Sequence, residues 1–115
     1  MTEEKKCPLY KKCGGCQLQN LSYAEQLKFK QRKVEKLLGE FAHVEPLIGM
    51  AEPYHYRNKV QAAFATARNG KIISGVYQSG THSIVCVDSC LTEDRKADEI
   101  IVSIRNMLKS FRIQP

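Results

Sequence analysis

The chain has 115 residues, a net charge of +6 and a sequence pI of about 9.1. This length predicts one domain with a modest core, and the excess of Lys and Arg suits an anionic partner without identifying it. Since no apolar run approaches the length of a bilayer span and no apolar segment follows the charged start, we expect a cytoplasmic protein without a membrane partner.

Clustered cysteines are the first feature along the chain. In a reducing compartment such thiols are typical of a metal or iron–sulfur site, and an odd total of five argues against a disulfide framework. Gly14 and Gly15 allow a tight turn that directs backbone N–H groups at sulfur. We therefore predict an irregular loop over residues 1–21 that is organised by its cysteines. The candidate ligands are Cys7, Cys13 and Cys16, with Cys90 as the fourth.

A first helix is predicted over residues 22–39. Ser22 followed by Glu25 is the pattern of a capping box, and Gly39 is a suitable residue for the C-terminal end. One face of this helix is basic, and we interpret it as a solvated surface because charge runs on helices usually face water. The basic row consists of Lys28, Arg32, Lys33 and Lys36.

Antiparallel strands are predicted within residues 56–87, where apolar and polar residues alternate. Asn69-Gly70 is typical of a two-residue hairpin turn, and it sets a register in which Phe64 faces and covers Gly75. In the third strand, we expect Cys86 to be a small buried hydrophobic residue rather than a ligand or a nucleophile.

The last helix is predicted over residues 92–112, with Thr92 as the N-cap and acidic residues in its first turns. A wide apolar face requires a surface to cover. We therefore predict an α+β fold in which helices pack on a small antiparallel sheet and the cysteine loop lies at the end of that sheet. The apolar face comprises Ala97, Ile100, Ile101, Ile104, Leu108 and Phe111.

Several blocks of this sequence resemble, in the same order, the iron–sulfur and central region of bacterial RNA uracil-5-methyltransferases, which act on 23S rRNA or tRNA. The similarity covers nearly the whole chain. The blocks are Cys7-Pro8, Cys13-Gly14-Gly15-Cys16-Gln17-Leu18-Gln19, Leu21-Ser22-Tyr23, Gln26-Leu27-Lys28, Tyr56-Arg57-Asn58-Lys59, Gly75-Val76-Tyr77, and His82 to Val85 with Cys90 beyond.

The resemblance implies a [4Fe–4S] cluster held by Cys7, Cys13, Cys16 and Cys90, in an enzyme that methylates C5 of a uridine with S-adenosylmethionine. It implies structured RNA as the partner, with ribosomal RNA favoured over transfer RNA. Spacing alone suits a Cys₄ zinc site equally well. An iron–sulfur electron-transfer module and a zinc-stabilised interaction domain are therefore the alternative functions.

The family's methyl transfer requires a nucleophilic cysteine, a base and a separate domain for S-adenosylmethionine. None of these is recognisable in the sequence. We therefore expect one part of a longer methyltransferase, with the missing catalytic domain as its partner and S-adenosylmethionine bound only by the full-length enzyme. The chain alone is predicted to be inactive.

In this interpretation the chain contributes RNA recognition. Side chains at positions 57, 59 and 61 would project from one face of a strand and contact phosphates and base edges. A charged row on a strand edge equally serves to prevent aggregation. The candidate RNA-binding residues are Arg57, Asn58, Lys59, Gln61 and His82.

Overall fold

The computed structural model describes residues 4–115, so the first three residues of the predicted loop 1–21 lie outside the described part. The three strands form one antiparallel sheet in the order β1-β2-β3, and the predicted α+β fold is confirmed. The elements in chain order are α1 (Tyr23–Leu38), β1 (Ala63–Thr66), β2 (Ile72–Tyr77), β3 (Ile84–Cys86) and α2 (Arg95–Ser110).

The described chain divides into two compact units. One contains residues 4–6 and Leu18–Pro53, and the other contains Cys7–Gln17 and Tyr54–Pro115. The second unit therefore contains the sheet, α2 and all four candidate cysteine ligands. The single-domain organisation stays a prediction. None of the helices within the described residues is long and apolar enough to cross a membrane.

In the first unit, α1 begins at the predicted capping box. The Glu25 backbone N–H donates to Ser22 Oγ at 3.2 Å, and the Ser22 N–H donates to the Glu25 carboxylate at 3.0 Å. The basic row of α1 is exposed, as predicted. Gln31 holds the later extended segment against the helix, since its amide donates to Glu45 O at 3.2 Å and accepts from Leu47 N at 2.7 Å.

The hairpin between β1 and β2 differs from the prediction by one residue. Phe64 pairs with Ser74 rather than with Gly75. The Ala67 N–H donates to Lys71 O at 2.8 Å, which leaves three residues in the loop, and Gly70 has a φ of 83°. This is the loop type with a turn followed by a left-handed glycine. The predicted two-residue turn is therefore wrong, and the register shifts with it.

Close packing of the strands, rather than cover from an aromatic ring, explains the glycine at position 75. Gly75 is buried and pairs with Cys86 of β3. A Cβ atom at this position would lie 1.8 Å from the Val85 carbonyl oxygen. Because a backbone oxygen cannot move without breaking the ladder, the β2–β3 pair requires glycine here.

Helix α2 begins two residues later than a Thr92 cap would allow. The Asp94 carboxylate is the N-cap and accepts from Lys96 N at 2.9 Å and from Ala97 N at 3.1 Å. Thr92 is buried instead, so its predicted role as the N-cap is wrong. A carboxylate at this position satisfies free N–H groups of the first turn.

Arg105 attaches α2 to the sheet through three groups. Its guanidinium donates to the fully buried Ser74 Oγ at 3.2 Å, to Cys86 Sγ at 3.4 Å and to the Asp88 carboxylate. Cys86 is exposed, so the prediction that it is a buried hydrophobic residue is wrong. The strand presents this thiol at the edge of the sheet beside a cation.

Apolar packing in residues 4–115 is partial, because no hydrophobic residue there is fully buried. On α2, Ala97, Ile101 and Leu108 are half-buried, whereas Ile104 is 42% exposed and Phe111 is 71% exposed. The apolar face predicted for α2 is therefore only partly covered, and polar contacts such as those of Arg105 hold much of the unit together.

Substituting Gly75→Ala should destabilise the chain by about 3 kcal/mol or more, because the added methyl group meets backbone and not a movable side chain. Urea unfolding would measure this loss, and amide exchange should show faster opening of the β2–β3 pair. Gly80→Ala is the control, since that position has a φ of 71° and open space around it. It should cost only about 1 kcal/mol. Equal losses would contradict the close-packing explanation.

Candidate metal centre

Four half-buried thiols come from two segments of the second unit. The cysteine loop supplies three of them, and the segment after β3 supplies Cys90. The loop is fixed to the end of β2, because the Gly14 N–H donates to Tyr77 O at 3.0 Å and Cys13 forms a bridge with Gln78. A Cβ atom on Gly14 would lie 2.7 Å from the same carbonyl oxygen, so this approach requires glycine.

The electrostatics of Cys13 show which other thiols act on it. Burial raises the pKa of the Cys13 thiol, the Gly15 N–H lowers it, and the charges of the other three thiols raise it. The Gly15 N–H donates to Cys13 Sγ at 3.4 Å. Ionised thiols within reach of one another repel, and a bound cation would remove that repulsion. The interacting thiols are those of Cys16, Cys90 and Cys7.

A short parallel pairing holds the segment that follows Cys90. The His55 N–H donates to Leu91 O at 2.7 Å, and the Arg57 N–H donates to Thr92 O at 3.0 Å. Arg57 and Glu93 form the bridge between the two segments. These bonds fix the chain directly after Cys90 by backbone geometry, and Thr92 Oγ1 lies 3.4 Å from Cys90 Sγ.

Two buried carboxyl groups lie beside the Cys90 segment. Glu93 is 9% exposed and Asp98 is 6% exposed. Burial and the hydrogen bond with Asp98 raise the pKa of Glu93 to about 7, the negative charge of Asp98 adds to the rise, and Arg57 opposes it. At neutral pH this pair therefore carries less than two full negative charges. Asp98 Oδ2 accepts from Cys90 N at 2.8 Å.

The four cysteines provide the donor chemistry of a thiolate-bound metal or cluster, and this donor set fits both iron and zinc. Within residues 4–115, no group of three or more His, Cys, Asp or Glu side chains has an arrangement that would hold a metal ion. The four ligands therefore stay a prediction. The structure places their thiols within electrostatic reach of one another.

The candidate RNA-binding residues do not lie on a strand. Strand β1 begins at Ala63, and the segment before it pairs with Glu93 through Arg57, so the predicted strand row is wrong. The backbone of Arg57 is occupied by this pairing and cannot join the hairpin. The side chains at positions 57–59, 61 and 82 are nevertheless exposed to solvent. The His82 ring packs edge-to-face on Tyr77, with 6.2 Å between the ring centroids.

Sequence reasoning missed the roles of Glu93 and Asp98. The sequence indicates only that acidic residues are favourable in the first turns of the last helix, which holds for any acid there. The spacing of Asp98, Ile101 and Arg105 indicates that the acid faces the sheet. The three residues lie on one helical face, and Ile101 and Arg105 both lie against β2. An acid on an inward face implies a buried partner.

Relatives of the chain are RNA methyltransferases. It is 43% identical over 114 residues to an uncharacterized RNA methyltransferase of Clostridium tetani and 45% identical over 116 residues to one of Clostridium acetobutylicum. A Staphylococcus aureus relative of the same description is 35% identical over 112 residues. These matches cover 96%, 94% and 93% of the chain but only 25% of each relative. The chain thus spans about a quarter of their length. No protein-family model matches it.

Stability should fall as the pH rises from about 4.5 to about 7, because folded Glu93 retains a proton that the unfolded chain has already lost. Below this window both states are protonated, and above it both are ionised. Glu93→Gln should remove this contribution, which urea unfolding between pH 5 and pH 7.5 would measure. Glu99→Gln, at an exposed position of α2, is the control. Parallel pH profiles for wild type and Glu93→Gln would contradict the raised pKa.

Proposed function

We propose that this chain is the iron–sulfur and RNA-recognition part of an S-adenosylmethionine-dependent RNA (uracil-5-)methyltransferase. The observation that carries the proposal is the electrostatic effect of three other thiols on Cys13, in a chain whose relatives are RNA methyltransferases. Soft thiolates select iron–sulfur clusters, zinc or Cu(I) over hard cations. The resemblance of the cysteine blocks favours the [4Fe–4S] cluster among these.

Cys7, Cys13, Cys16 and Cys90 would hold the cluster. When bound, it would supply cationic iron that offsets the thiolate repulsion and a crosslink between the loop and the segment after β3. By analogy with a disulfide, closing a loop of this length restricts the unfolded chain by on the order of 4 kcal/mol. The Gly15 N–H, at 3.4 Å from Cys13 Sγ, would further stabilise a thiolate ligand. We therefore assign the cluster a structural role.

Methyl transfer itself is assigned to the rest of the enzyme. The relatives are about four times as long as the region they share with this chain. In this proposal their remaining length supplies the nucleophile, the base and the S-adenosylmethionine site, and the described chain alone is inactive. The enzyme would act in the cytoplasm on structured RNA, with ribosomal RNA favoured.

RNA recognition is assigned to exposed polar groups of the second unit. Asn58, Lys59 and Gln61 are exposed in the irregular segment before β1, where side chains can adapt to a folded RNA. Tyr77 is 49% exposed and lies against His82, which provides an aromatic edge for an unstacked base. The net charge of +6 favours association with phosphates.

Replacing Cys90 with Ser should abolish the iron and sulfide content of protein purified without oxygen, and it should lower the unfolding temperature. Cys86→Ser is the matched control, because this thiol lies outside the group that acts on Cys13, and the substitution should leave the iron and sulfide content unchanged. Metal analysis would identify the bound element. Zinc without sulfide would support the interaction-domain alternative, and full iron retention in Cys90→Ser would contradict the ligand assignment.

Replacing Lys59 with Ala should weaken binding to a stem–loop RNA with an unpaired uridine and reduce the log–log salt slope by about 0.7, the contribution of one single-stranded phosphate contact. Lys36→Ala is the control. It removes the same charge from the solvated row of α1 and should change affinity less. Fluorescence anisotropy at several salt concentrations would measure both. Equal effects of the two substitutions would mean that binding follows total charge alone.

A further inference from the structure

We propose that Asp98, Glu93 and Arg57 position the four thiols by connecting the Cys90 segment to the cysteine loop. The inference rests on the proposed metal-binding role of the cysteines, and it adds residues that are not themselves ligands. The connection begins at the backbone of Cys90 and ends at the sulfur of Cys13. Each step is a contact between described residues of the second unit.

The first step joins Cys90 to α2. Asp98 Oδ2 accepts the Cys90 backbone N–H at 2.8 Å, and the Asp98 side chain is buried. The carboxylate comes from the first turn of α2. A buried acceptor on a helix therefore sets the orientation of the Cys90 peptide, and with it the direction of the thiol.

The second step joins Asp98 to the paired segments. Asp98 and Glu93 are both buried and line the same small cavity. The Glu93 carbonyl lies 2.8 Å from His55 Nδ1, and its backbone bridges to Arg57. The position of Glu93 is thus fixed by its backbone contacts with His55 and Arg57 and by the burial of its side chain. This places the two carboxyl groups in a fixed relation to the Cys90 segment.

The third step reaches the cysteine loop. The Arg57 backbone bridges to Glu93, and the Arg57 guanidinium donates to Gly15 O at 3.5 Å. Gly15 lies between Cys13 and Cys16, and its own N–H donates to Cys13 Sγ at 3.4 Å. Arg57 therefore contacts groups on both segments that carry the thiols. A change in this connection would alter the separation of Cys90 from the other three.

Cobalt(II) titration of the reduced, metal-free chain tests the proposal, because thiolate–cobalt absorption reports on the geometry and affinity of the thiols without any enzymatic activity. Asp98→Ala should weaken cobalt binding about 10- to 100-fold, the usual effect of losing a group that orients a ligand. Asp98→Asn should remain within about threefold of wild type, since its amide can accept from Cys90 N and donate to Glu93.

Asp94→Ala is the matched control on the same helix. It removes the N-cap and should lower the unfolding temperature, but it leaves the Cys90 contact intact and should not change cobalt affinity by more than about threefold. Arg57→Gln tests the other end of the connection and should weaken cobalt binding about tenfold. It decides the question if Asp98→Ala does not fold.

Unchanged cobalt affinity in Asp98→Ala or Arg57→Gln would overturn the inference, as would a loss in Asp94→Ala equal to that in Asp98→Ala. Failure of Asp98→Asn to restore binding would do the same. A wild-type chain that shows neither thiolate–cobalt absorption nor a reconstituted iron–sulfur cluster would instead overturn the proposed four-cysteine site. Failure of the positioning role and failure of the metal site are therefore distinguished by the wild-type result.

Discussion

The electrostatic repulsion that three other thiols, from two distant segments, exert on Cys13 is the constraint on which the second unit depends. Thiolates repel one another, and burial makes each charge more costly. The rise in the pKa of Cys13 reflects both effects. Backbone contacts therefore hold the region in place: the loop bonds to the end of β2, and the segment after Cys90 pairs with residues 55–57. Bonds that do not involve sulfur thus bring the thiols together.

The elements of this fold could be predicted from local sequence, whereas their exact pairing could not. The capping box of α1 depends on two residues three positions apart, and it formed as predicted. The hairpin register depends on which residue of the loop takes the left-handed conformation. Asn69-Gly70 is compatible with a two-residue or a three-residue loop. In the structure only Gly70 of this loop is left-handed, the loop has three residues, and every β1–β2 pair is shifted by one residue.

The thiols of the candidate site were recognisable from their spacing, but the residues around them were not. Asp98 occupies a position where an acid is favourable in any helix, so only the folded structure shows that it contacts the Cys90 backbone. Arg57 has a similar ambiguity, because an exposed cation suits RNA binding and its guanidinium also contacts Gly15. The burial of Cys86 was predicted wrongly, because alternation along a strand does not show which of its two faces the rest of the protein covers.

Gln31 has a consequence for sequence variation in the first unit. Its amide bonds to the carbonyl of Glu45 and to the N–H of Leu47, as the backbone of a neighbouring β-strand would. These bonds recognise the main chain and are independent of the side chains at positions 45 and 47. The extended segment can therefore change its composition while keeping its path along α1, provided that residue 47 is not proline and that position 31 keeps an amide of the same length.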